Sequence, residues 1–222
     1  MRVLFTAVCA ALLVTSPIHA QFTTYANRAS FEAQLGATVV DDYSNPDYIF
    51  LQTDAAMSSV LNETRYTTTG FTNNNLVFSG FYCAGCNGSY RMDFRSTSVT
   101  TDGQGVYGVG FDFFNFGSSA FFPGPLFSAF ITFGDATTES ILLQSATSTT
   151  AFFAVTSTRL IATIHLGLAD GGSLQSGSFL QDNLTIGTLG TSSVVPEPGA
   201  VLLLAAGLAG LAIAGKARRK RA

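Results

Sequence analysis

The chain has 222 residues, 20 of them Phe and none Trp, with only two His and three Cys. Of its 11 basic residues, Arg2 stands at the start, five lie in the last seven positions, and only Arg28, Arg65, Arg91, Arg95 and Arg159 share the intervening stretch with all 14 acids. So acidic a body repels phosphate backbones, which argues against a nucleic-acid partner, and the scarcity of His and Cys leaves little for zinc or a catalytic triad.

Residues 1–20 read as a signal peptide: Arg2, an apolar core from Val3 to Val14, then Pro17-Ile18-His19-Ala20 before a cut expected after Ala20 or a residue or two away, since Ile18 is large for its place. An apolar core that short does not favour a retained anchor. The stretch 21–187 suits one domain with a sizeable core. A short helix is expected over Arg28–Leu35, with Phe31 and Leu35 on one face, Asn27 or Ser30 as cap and Gly36 as stop.

Strand patterning then takes over. Strands are expected near 39–43, 64–69, 76–81, 89–95, 107–113, 127–133, 138–143, 151–156, 160–166 and 179–186. Tyr107, Val109, Phe111 and Phe113 share one face and Gly108, Gly110 and Asp112 the other. The parity change at Phe114 and Phe116 suggests a bulge or burial on both faces. Phe127, Ala129, Ile131 and Phe133 form the next apolar stripe, and Leu160, Ala162, Ile164 and Leu166 another; Phe133–Ala136 and Ala169–Gly172 read as turns. About ten short strands with almost no helix argue for an all-β, two-sheet β-sandwich. Cys83 and Cys86, in Cys-Ala-Gly-Cys, are expected to form a local disulfide in an exported chain. The flanking strands do not suit a thioredoxin-like redox motif.

No catalytic constellation stands out, so the body reads as non-enzymatic. His165, the one His left after the signal peptide, is placed on a face with Ile161 and Thr163, and no Gly-x-Ser-x-Gly accompanies it. Two carboxylates across a cleft would make a glycosidase, but nothing selects a pair. No catalytic, cofactor or resident-metal residue is assigned. Asp182 falls in phase with Leu180, Leu184 and Ile186; it is either a backbone-bonded aspartate at a sheet end or a ligand of a structural calcium shared with Asp41 or Asp42. Without Trp, sugar stacking would fall to the seven tyrosines, with Tyr82 and Tyr90 flanking the disulfide.

Residues 188–195 read as a linker, and 196–222 have three parts: Pro196-Glu197-Pro198, an apolar helix over 200–214, and a basic tail over 216–221 that includes Arg218, Arg219, Lys220 and Arg221. The prolines keep helix from spreading upstream, the apolar run satisfies its own backbone in lipid, and the cations hold the end on the cytoplasmic side. As helix, residues 199–214 rise about 24 Å against a hydrocarbon core of about 30 Å, which suits a temporary anchor better than a permanent one.

That three-part tail resembles the PEP-CTERM sorting signal of Gram-negative bacteria. The resemblance implies an exosortase substrate cut near Pro196, Glu197 and Pro198, passing from an inner-membrane-anchored precursor to the cell surface or extracellular matrix. It also implies association with exopolysaccharide and biofilm. The stretch 106–187, with Tyr-Gly-Val-Gly-Phe-Asp-Phe-Phe, Ile-Thr-Phe-Gly-Asp-Ala-Thr-Thr-Glu-Ser, Phe-Phe-Ala-Val-Thr-Ser and Gln-Asp-Asn-Leu-Thr-Ile-Gly, is similar to the jelly-roll-like domain common in that class. The expectation is therefore a jelly-roll-like β-sandwich with one short N-terminal helix and a C-terminal hydrophobic helix, structural or binding in role. The alternative is a surface-bound polysaccharide hydrolase.

Overall fold

The computed structural model describes residues 22–70, 72–86, 88–115, 127–143, 150–168 and 179–190. The signal peptide, the turn at 169–172, residue Phe116, the sorting residues Pro196, Glu197, Pro198, Arg218, Arg219, Lys220 and Arg221, and the helix expected over 200–214 lie outside the described residues. Among the described residues, no helix is long and apolar enough to cross a membrane.

In chain order the elements are β1 (Phe22–Tyr25), α1 (Arg28–Glu32), β2 (Leu35–Asp41), β3 (Leu51–Gln52), α2 (Asp54–Ser59), β4 (Arg65–Thr68), β5 (Asn75–Phe78), β6 (Phe81–Ala84), β7 (Tyr90–Asp93), β8 (Val106–Asn115), β9 (Phe127–Phe133), β10 (Thr138–Leu143), β11 (Ala151–Leu168) and β12 (Phe179–Leu189). Every strand pair is antiparallel.

Strand β11 organises the molecule, because its two halves serve different layers. Residues 151–157 pair with β8 and β1, whereas 161–168 pair with β9 and β7. One sheet runs β1–β11–β8–β12–β2, carried on from the start of β12 by β6, β5 and β3; the other runs β10–β9–β11–β7–β4. Their inner faces meet: Phe127 of β9 packs on Phe179 of β12 with ring centroids 4.6 Å apart, and Tyr90 of β7 packs edge-on against Tyr82 of β6 at 4.9 Å. Two packed layers around one core make this a β-sandwich.

Both helices are held by caps. In α1 the Asn27 side chain accepts from the Ser30 N–H, and fully buried Phe31 lies on the outer side of β8. Gly108 and Gly110 make room for it: a Cβ on Gly110 would stand 2.7 Å from the Phe31 ring. This central strand is thus covered on both faces. The helix stops before the expected Leu35 because Leu35 already pairs with Leu189 as the start of β2. The unexpected α2 buries Met57 and ties the two layers together at one edge, since the Asp54 carboxylate accepts from Thr68 of β4 and Asn75 of β5.

Three other differences have local causes. Positive φ at Ser79 and Gly80 folds the strand expected over 76–81 into the β5–β6 hairpin. β1 and β3 are too short to leave a periodic signal. β12 runs to Leu189, so the first two residues of the expected linker are strand.

Candidate binding face

Four of the seven tyrosines expected to stack on sugars, Tyr82 and Tyr90 among them, point the other way. Tyr43, Tyr66, Tyr82 and Tyr90 are each at most 2 % exposed and form an internal cluster. Tyr43 and Tyr66 hydroxyls lie 3.0 Å apart, Tyr82 donates to Asn75 at 2.9 Å, and Tyr90 donates to the fully buried Gln181. Asp41 faces into this cluster, accepting from the Tyr48 hydroxyl at 2.5 Å and the Tyr43 N–H at 3.0 Å. Burial raises its pKa, and these donors only partly offset that. Cys83 and Cys86 are joined by a disulfide across the turn after β6.

Asp182 is not in phase with Leu184 and Ile186, because β12 bulges between them. Asp182 pairs with Asp112, but Thr185 pairs with Gly110, so Asn183 and Leu184 together oppose Phe111, and Asn183 adopts φ 49°. Phe179 and Gln181 face the core before the bulge, and Leu184 and Ile186 after it, which leaves Asp182 half-buried on the outside. Burial raises its pKa, the Asn183 N–H pulls it back, and Asp112 and Asp42 raise it again. Asp41 lies inward with the tyrosines, and the Asp42 carboxylate accepts from Ser44. Asp41 is therefore turned away from Asp182, whereas Asp42 stays near enough for the two charges to interact. Among the described residues, no three His, Cys, Asp or Glu gather to hold a metal. Asp112 is engaged by Arg28 at 2.9 Å and by Asn183 at 3.0 Å, so it does not stand with Asp182 as two free acids across a cleft.

The outer face of the second sheet is different in kind. Tyr66, Met92, Ile164 and Ile131 point into the core, and their neighbours point out. Register aligns Thr67, Arg91, His165, Phe130 and Ser140 in one row across β4, β7, β11, β9 and β10, with Arg65, Asp93, Thr163, Thr132 and Thr138 in the next. Four strand spacings make a platform about 19 Å wide. A groove of about 450 Å³ lies over its middle strands β7, β11 and β9, lined by Arg91, Arg95, Phe130, Thr132, Thr163 and His165 among others.

A β-bulge sets the phase here too. The β11–β9 register slips between Ile161 and Thr163, so Ile161 enters the core while Thr163 and His165 face out. His165 thus shares its face with Thr163 but not with Ile161. Its Nε2 lies 3.0 Å from Thr69 Oγ1, and its ring lies 6.0 Å from that of Phe130. Burial, then the adjacent Arg91 charge, lower its pKa, so the imidazole is neutral at neutral pH. Asp93 is closed by Arg95, whose Nε donates at 3.0 Å. Burial alone would raise the Asp93 pKa, but that ion pair outweighs it and the net shift is downward. The side chains of Arg65 and Arg91 make no hydrogen bond or ion pair with any described residue, though the Arg65 charge helps to lower the Asp93 pKa. Sequence inspection did not single out Arg65, Arg91 or Phe130, although the alternation in Tyr90-Arg91-Met92-Asp93 carries the signal.

A second exposed patch groups Phe50, 66 % exposed, with Phe78, but the rings are tilted by 55° and offer no common plane.

Residues 194–220 match the PEP-CTERM protein-sorting motif, which implies an exported chain held in the membrane before exosortase processing. No curated protein matches the chain. Among solved structures it is similar to a mutant of CBM29-2, a family 29 carbohydrate-binding module, at 13 % identity over 69 % of this chain and 94 % of that one, with a TM-score of 0.41. A second CBM29-2 mutant, complexed with cellulohexaose, gives 12 % identity over 68 % and 93 %, with a TM-score of 0.40. Sandwiches share geometry at this level without sharing function.

Proposed function

We propose that the chain is an exported protein processed by exosortase whose jelly-roll-like sandwich binds polysaccharide at the cell surface or in the extracellular matrix, without cutting it. The carrying observation is the open outer face of the second sheet. Its threonine and serine hydroxyls, Arg donors and the Phe130–His165 surface lie in register across five strands. Extended sugar chains present rows of hydroxyls and apolar ring faces, which such a mixed polar and aromatic surface complements. The exopolysaccharide and biofilm setting is the one the tail's resemblance implies.

The test is incubation of the purified chain with matrix polysaccharide from its host, scoring co-sedimentation and release of new reducing ends together. Binding without new ends is expected. New ends that disappear when carboxylates are replaced would establish the hydrolase instead, and neither binding nor cleavage would remove both readings.

A further inference from the structure

Resting on polysaccharide binding at this face, the charge distribution narrows the ligand. Five arginines serve the body against 14 acids, so every cation has a wide choice of carboxylates. Three have accepted one: Arg28 pairs with Asp112 and Glu32, Arg95 with Asp93, and Arg159 with Asp135 while lying 3.8 Å over the Phe133 ring. Arg65 and Arg91 form no ion pair among the described residues, although Arg65 stands opposite Asp93 in the register and its charge helps to lower that carboxyl's pKa. Both arginines project outward from adjacent strands, and their register makes them diagonal neighbours with Cα atoms about 7–8 Å apart. Like charges on neighbouring positions of one face disfavour each other, and an anion bridging them relieves that. The nearest carboxylate, that of Asp93, is already forked onto by Arg95. An acidic body therefore carries a local cationic surplus on the outer face of the second sheet.

We propose that this face takes a carboxylated polysaccharide, a polymer bearing uronate groups, with Arg65 and Arg91 gripping carboxylates and the Phe130–His165 surface supporting a neighbouring ring. A guanidinium presents paired N–H donors that match a carboxylate bidentately, which gives orientation as well as charge. A neutral polysaccharide would leave both cations unanswered.

Affinity electrophoresis of the full chain in non-ionic detergent, through gels containing polygalacturonate, hydroxyethyl cellulose or dextran sulfate, tests this. Polygalacturonate is expected to bind at least about tenfold more tightly than the neutral polymer, and Arg65→Gln with Arg91→Gln to lose about tenfold of that affinity at an unchanged melting temperature. Arg91→Gln alone serves if the double variant melts early, with a smaller loss in the same direction. Equal binding of the neutral polymer overturns the carboxylate assignment and leaves polysaccharide binding intact. No binding of any polymer overturns both. Dextran sulfate binding as tightly as polygalacturonate, indifferent to either substitution, would mean ion exchange elsewhere on the chain and would also overturn the assignment.

Discussion

Asp41 exchanges water for tyrosine hydroxyls, and its titration carries the mark of that exchange. Below about pH 3.8, its usual value, the carboxyl is neutral whether the chain is folded or not; its contribution to stability is fully present there and is lost as pH rises through the raised folded value. Asp41→Asn removes this loss. Thermal melts at pH 3.5 and pH 7 should therefore show the variant gaining on the parent protein as pH rises, and a difference that stays flat or falls would refute the assignment. Asp41→Ala leaves the Tyr48 hydroxyl and Tyr43 N–H without their acceptor and should cost about 3 kcal/mol at pH 3.5 and less at pH 7, because it too removes the titration. Composition pointed the tyrosines toward sugar; strand phase, which sets Tyr90 beside Met92 on the inner side, points them toward the core. Phase outranks residue type here because a Tyr with a buried hydroxyl partner is as good a core residue as a Phe.

Among the elements, long strands were legible and their interruptions were not. Alternation located β8 and β9 to within two residues at either end, since apolar side chains at every second position mark a strand face, whereas β11 was expected as two strands, over 151–156 and 160–166. The bulges after Asp182 and at Ala162 have no such signature, and each turns every later side chain to the opposite face. That is why Asp182 and His165 were assigned the wrong companions. The β12 bulge is stabilised from outside its own sheet. Arg28 of α1 donates to the Asn183 carbonyl, to Thr185 Oγ1 and to Asp112 across it. Docking of α1 is therefore a condition for the shape of the last strand. Phe31→Ala empties the space above Gly108 and Gly110 and should cost about 3–5 kcal/mol, lowering the melting temperature by roughly 10 °C. An unchanged melt would mean that the helix does not pack there.

For the molecule as a whole, charge and hydropathy patterning spoke about destination more clearly than about chemistry. The sorting motif occupies 194–220 and depends on local sequence alone, which is why it could be recognised without any fold. The proposed binding face depends on register among five strands that are far apart in the chain, and no window of sequence contains it. The two are complementary in the proposed role: a tail that delivers the sandwich, and an open sheet that holds the matrix once it arrives.

Mass spectrometry of the protein recovered from its host's surface bears on that role most directly. The expected species begins near Gln21 and ends at or close to Pro196-Glu197-Pro198, lacking the apolar run and basic tail. A polypeptide intact to Ala222 and embedded in the inner membrane would contradict it.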